Sequence, residues 1–305
     1  MNYFSFLFFS LLVLLTLGNT NQKSTQEFFY PSFDNFGDTL YVDPPTGLFD
    51  EDRELIISTL KLSKPGDVIL FSPGTYRIGS LIDLDVPELT LIGHEEGTII
   101  RGCEPDEMVD IEPSIFGCGG FELIADSQTI KNFTFEYAWH GIIIGCCMPK
   151  NIEEAESGSS FTTTSYGGHI IENNTFRNNP TGIRVTGNSP IPTKISNNIF
   201  HDNYHGLTIN GGNVTVENNH FFSKEPTNVP IDHVTHNAIG VWPYEEWLTN
   251  TEGIEKEKDC TNNYILNNYI ENLEIGIEVY GNNPDELEKD GKCGTTIVQG
   301  NKIVN

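Results

Sequence analysis

The sequence predicts an all-β fold, a parallel solenoid closed at its N-terminal end by a helix, and three observations predict it. The first is repetition. IENNTFRNNPTGIRV (171–185), ISNNIFHDNYHGLTI (195–209) and ILNNYIENLEIGIEV (265–279) are copies of one unit, and IKNFTFEYAWHGIII (130–144) is a looser one. The interval from apolar anchor to glycine is the same in each: 135 to 141, 176 to 182, 200 to 206 and 270 to 276. VENNHF (216–221) and VQGNKIV (298–304) read as an interrupted and a shortened copy. The second is periodicity: each unit holds two short alternating runs around an Asn-rich corner, which is strand chemistry. The third is Asn174, Asn198, Asn219, Asn268 and Asn301, each two residues before its anchor. Asn tolerates left-handed backbone angles, and stacked Asn side chains can hydrogen-bond from coil to coil. Anchors at 176, 200 and 221 advance by about one solenoid turn. Phe135, Phe176, Phe200, Phe221, Ile270 and Ile303 should therefore form one interior stack.

Upstream elements follow in chain order. Phe4 to Leu17 is almost wholly apolar and too short to span a membrane, so residues 1–20 read as a signal peptide cleaved near Gly18 to Thr20. No Lys or Arg precedes the apolar run, and an uncleaved anchor is the alternative; no later segment suits a membrane span. Residues 21–44 form an N-terminal extension, and 45–305 the solenoid domain. Within 49–64, DRELIISTLKL reads as an amphipathic helix with Asp50 as N-cap. It would cover the first coil, because an open solenoid end exposes strand edges and apolar side chains.

Composition narrows the function. With 17 Lys+Arg against 43 Asp+Glu, the formal charge is −26, which excludes a nucleic-acid partner. Six Cys in an exported chain fit an oxidising, extracellular or periplasmic compartment. Cys103 and Cys118 are close enough in sequence to clip a local loop; Cys260 to Cys293 is the most plausible bridge between neighbouring loops, and Cys146 and Cys147 stay unassigned. Asn132, Asn173 and Asn213 head glycosylation sequons.

Strand alternation after each glycine predicts an outward surface. Its rows would be Gly141/Ile143/Gly145, Gly182/Arg184/Thr186, Gly206/Thr208/Asn210, Ala238/Gly240/Trp242 and Gly276/Glu278/Tyr280. An Arg, a carboxylate, Trp and Tyr among small residues suit a sugar-binding groove. Three insertions, 146–168, 243–260 and 281–294, leave the coil after this strand and should wall one edge; they carry 13 acidic residues against five lysines.

These repeats, with KPGDVILFSPGTYRIGSLIDLDVPELTLIGHEEGTIIRG (64–102) as opening coils, resemble the right-handed parallel β-helix of the pectin-lyase-like superfamily, in its parallel β-helix repeat branch. The resemblance implies a single-stranded right-handed parallel β-helix with an N-terminal capping helix. It also implies an extracellular polysaccharide as partner, which the protein would bind or process, as a lyase or uronate epimerase. Such chemistry needs a base beside the uronate carboxylate and a cation for the developing enolate. Arg184 and His205 are the catalytic candidates; Thr208, Asn210, Trp242, Glu278 and Tyr280 the substrate-binding ones. Ca²⁺ is the candidate cofactor, because the acidic loops would repel a polyuronate. VPIDHVTH (229–236) resembles the Asp-His signature of pectate lyases and the Asp-Pro-His signature of epimerases, but Pro230 and the missing intervening Pro depart from them. Asp232, His233 and His236 are alternatively a metal site. Without the Asp-Asp pair of polygalacturonases, hydrolysis is not expected. The competing reading is a non-catalytic surface, adhesion or accessory scaffold that binds Ca²⁺ or a protein.

Overall fold

The structure, a computed structural model, describes residues 37–104, 118–145, 165–224, 237–242, 262–279 and 296–304. The predicted signal peptide, and the extension up to residue 36, lie outside them. So do Asp232, His233, His236, Tyr280, Cys146, Cys147, Cys260 and Cys293.

All strand pairs among the described residues are parallel, and each coil pairs with the one before and after it. One wall of the coil is an eight-stranded sheet that includes Phe133–Glu136, Thr175–Arg177, Ile199–His201, His220–Phe222 and Tyr269–Glu271. Two further walls belong to a 14-stranded sheet, because Thr181–Ser196 and His205–Glu217 each run round the corner between them.

The interior stack forms in the expected register from Phe135 through Phe176, Phe200 and Phe221 to Ile270; Ile303 pairs with Ile270 but is 51% exposed in the last described coil. Successive rings lie parallel, with centroids 5.1, 4.8 and 4.5 Å apart. This is the strand spacing of a sheet projected into the core.

The Asn corner divides its labour. The first Asn of each pair, at 173, 197, 218 and 267, holds the left-handed turn with φ of 58, 57, 56 and 54°. The second forms the ladder: Asn174 donates to Asn198, Asn198 to Asn219, Asn219 to Asn268 and Asn268 to Asn301, each through both backbone N–H and Nδ2 at 2.9–3.1 Å. A second, shorter ladder joins Asn179 to Asn203 at the next corner.

Two expectations are corrected. Gly141, Gly182 and Gly206 do not face outward: a Cβ on them would lie 2.8, 2.9 and 2.6 Å from the Phe176, Phe200 and Phe221 rings, and Ala238 in this position is fully buried. The chain bends there, so the glycine and the residue after it both turn inward. The helix spans Phe49–Leu60 with Leu48 as N-cap and no side-chain cap, and Asp50 lies in its first turn. Instead the buried Asp52 carboxylate ties the helix to both flanks, accepting the N–H groups of Thr46 (2.5 Å), Gly47 (3.2 Å) and Arg77 (3.0 Å). Ile56 and Leu60 pack into the core. Cys103 and Cys118 form a disulfide.

Candidate functional site

Beyond the bend, the predicted outward column is in register: Glu122, Ile143, Arg184, Thr208, Gly240 and Glu278 lie on successive strands, with Asp83 paired to Glu122. A second column precedes the bend, where His140, Thr181, His205, Asn237 and Ile275 are aligned. Arg184 and His205 therefore belong to adjacent strands, about 4.8 Å apart.

Side-chain contacts join the two columns. Asn237 Nδ2 donates to Glu278 Oε2 at 2.9 Å, and Trp242 Nε1 donates to the same oxygen at 3.2 Å. Because the carboxylate takes the amide NH₂, Asn237 presents its Oδ1 to His205 Nδ1. The neutral imidazole thus carries its proton on Nδ1 and its basic lone pair on Nε2. Trp242 meets the His205 ring edge-on, with centroids 5.3 Å apart, and the Tyr204 ring also packs on it at 4.4 Å. Burial, followed by the charge of Glu274, pushes the Tyr204 phenol up to about 12. Asn210 donates to the Trp242 carbonyl oxygen at 3.3 Å.

The right-handed β-helix description, taken as a family model, matches residues 119–305. The chain belongs to the right-handed beta helix family. Among solved structures, this β-helix is similar to a PL6 alginate lyase complexed with a trisaccharide, at 12% identity and a TM-score of 0.44, covering 80% of this chain and 48% of the lyase. The PL6 alginate lyase AlyGC is 15% identical, with a TM-score of 0.29 and coverage of 88% and 44%. PfbA, a surface adhesin of Streptococcus pneumoniae, is 14% identical, with a TM-score of 0.25 and coverage of 88% and 92%. The chain spans about half the length of the two lyases. No curated protein matches it.

Of the residues expected at the site of this β-helix, Arg184, His205, Asn210, Trp242 and Glu278 lie together and are partly exposed. Thr208 is in the same column but only 6% exposed. Ile144, Val241 and Val279, on the strands that precede the three insertions, are in register; most of the insertion residues lie outside the described residues. Among the described residues, no group of three or more His, Cys, Asp or Glu is placed to hold a metal, and no helix is long and apolar enough to cross a membrane.

Two residues of the site were missed in the sequence, His140 and Asn237. Both precede the inward-turning position of their coil, at the offset of His205, and that shared offset was the available signal. His140 is 5% exposed, and both its ring nitrogens lack a hydrogen-bond partner. Burial, then the charges of Arg184 and His205, hold its pKa well below that of an ordinary histidine. It is a neutral imidazole beside a guanidinium.

Proposed function

We propose that this face binds an extracellular acidic polysaccharide and acts on it by abstracting the proton beside a uronate carboxylate, as a lyase or an epimerase. The observation that carries the reading is the chain His205–Asn237–Glu278, with Arg184 on the adjacent strand. The amide fixes the tautomer that leaves Nε2 basic, and Glu278 orients the amide. Arg184 supplies positive charge for the uronate carboxylate as it takes on enolate character. His205 takes the proton from the carbon bearing the carboxylate. In a lyase the released electron pair forms the ring double bond, the glycosidic C–O bond breaks, and the departing oxygen takes up a proton. In an epimerase a proton returns to the opposite face. Trp242 offers a ring for pyranose stacking, Asn210 and Glu278 are polar contacts, and Ca²⁺ would bridge the acidic loops to the polyanion.

The test is incubation of the full chain with alginate and polygalacturonate, with Ca²⁺ or a chelator, following ultraviolet absorbance of the unsaturated product and the epimer ratio by NMR. Product that disappears in Arg184→Ala and His205→Ala is the expected result; turnover that survives both substitutions, or none in the wild type, overturns it.

One observation favours the second reading, a non-catalytic surface scaffold. Thr181, Thr186 and Thr208 around Arg184 are 7%, 7% and 6% exposed, so the floor of the face is closed to solvent. Glycan binding without product would select it.

A further inference from the structure

The outer face of the eight-stranded sheet carries a group of aromatic rings that neither the core nor the Arg184 face uses. Ile199, His220 and Tyr269 are aligned on successive strands, and His201, Phe222 and Glu271 form the neighbouring column. In earlier coils the same two columns hold Thr134 and Thr175, and Arg101, Glu136 and Arg177. The change from Thr and Arg to rings is confined to the later coils.

These rings are partly exposed yet held. Their centroids lie 5.3 Å apart for His201 and Phe222, 4.6 Å for His220 and Phe222, and 5.0 Å for His220 and Tyr269. His201 Nδ1 meets Asp202 Oδ2 at 2.8 Å, and the two oxygens of Glu271 receive His220 Nε2 at 3.0 Å and the Tyr269 hydroxyl at 3.1 Å. Rings held by edge hydrogen bonds and by packing on one another have lost rotamer freedom before any ligand arrives, and the flexible lysines over Phe222 and Tyr269 can swing aside. Exposed patches of this kind mark contact surfaces.

The charges around the rings name the ligand class. Lys224 Nζ lies 5.5 Å from the centroid of Phe222, and Lys302 Nζ lies 5.0 Å from that of Tyr269. Asp202 and Glu271 keep their charge but are 18% and 30% exposed and turned to the ring edges, whereas Lys224 and Lys302 are exposed, so the ammonium groups are the more accessible charges at the rim. Two exposed ammonium groups beside the rings are a local exception in a chain of net charge −26; Arg177 on the next strand is paired with Glu136. Rings repeating at strand spacing, flanked by ammonium groups, match pyranose faces that carry carboxylates.

We propose that this surface, centred on Phe222 and Tyr269, is a second glycan-binding site, taking an acidic polysaccharide strand laid across successive coils. It lies on a different sheet wall from Arg184 and stands whether or not that face is catalytic.

The experiment measures binding of the full chain to polygalacturonate, alginate, hyaluronan and heparin, with neutral pullulan for comparison, by affinity electrophoresis and calorimetry at two salt concentrations. In wild type, acidic glycans bind and pullulan binds at least tenfold more weakly. Phe222→Ala/Tyr269→Ala lowers affinity for acidic glycans at least tenfold. Lys224→Gln/Lys302→Gln, which alters only exposed side chains, lowers affinity and flattens its salt dependence. Both surface variants are also made in the Arg184→Ala/His205→Ala background, where the same loss of affinity shows that the binding read is not that of the proposed active face. Failure of wild type to bind any acidic glycan overturns the proposal, as does unchanged affinity in either surface variant. Self-association in sedimentation that the Phe222/Tyr269 variant abolishes also overturns it, since the rings would then serve a second copy.

Discussion

Asn198 Oδ1 accepts both the backbone N–H and the Nδ2 of Asn174, at 2.9 and 3.1 Å, while its own Nδ2 reaches the Ile171 carbonyl oxygen at 2.9 Å. One side chain thereby satisfies polar groups of two neighbouring coils where water cannot reach. Asn198→Ala orphans the buried N–H of Asn174 and the Ile171 carbonyl together, and is expected to cost about 3 kcal/mol. Asn198→Asp keeps the acceptor but loses the donor and buries a charge, so it should be no better at neutral pH. Urea denaturation checks both; an alanine variant as stable as wild type would deny the ladder a role in stability.

Gly206 is tested by adding a single carbon. A Cβ there would lie 2.6 Å from the Ala238 carbonyl oxygen and 2.6 Å from the Phe221 ring. The ring can move and the carbonyl cannot, so Gly206→Ala should destabilise the protein by roughly 1–3 kcal/mol, and adding Phe221→Leu should not restore it. Full rescue in thermal melts of the double variant would show the ring alone to be the obstacle.

Stability should fall on mild acidification. Burial, partly offset by Asp126, pushes His169 down to about 4 from 6.5. Between those values the unfolded chain binds a proton that the folded chain refuses, so the contribution is fully present above about 6.5 and is lost as pH falls towards 4. The linked loss is on the order of 3 kcal/mol. His140, also lowered, acts with the same sign. His169 Nδ1 accepts the Gln128 N–H at 3.4 Å, a contact that a Gln side chain can approximate. Melting temperatures at pH 7 and pH 4.5 should differ less in His169→Gln than in wild type, and an unchanged difference would remove His169 from the account.

The fold was legible in the sequence because a solenoid repeats its corners: the interval from Phe176 to Gly182 recurs, and so does the Asn before each anchor. Register then fixed which residues are neighbours along the axis, so the alignment of Arg184, Thr208 and Glu278 could be read from the repeat spacing alone. Alternation failed at the bend, where Gly206 and Leu207 both turn inward, and the column holding His140, His205 and Asn237 was consequently not read as a column. Thr208 was read as surface because strand parity distinguishes inside from outside but is blind to what lies over the outer face. The rings around Phe222 escaped notice because their partners come from strands nearly 50 residues apart, such as Phe222 and Glu271.

Glu136 is 1% exposed and lies between two arginines: its Oε1 accepts from Arg101 Nε at 2.8 Å and its Oε2 from Arg177 Nε at 2.7 Å, with the terminal guanidinium nitrogens also bonded. Glu104 extends the array, pairing with Arg77 at 3.0 Å and Arg101 at 3.4 Å. Both arginines on Glu136 keep some solvent contact, so removing its charge leaves cations that water can partly serve. Glu136→Gln should therefore cost about 2 kcal/mol, below the ~3–5 kcal/mol for breaking a fully buried pair. Glu136→Leu abolishes every acceptor and should cost more. A wild-type advantage over the Gln variant that vanishes at high salt would mean the array is screened like a surface pair, contrary to the burial of this side chain.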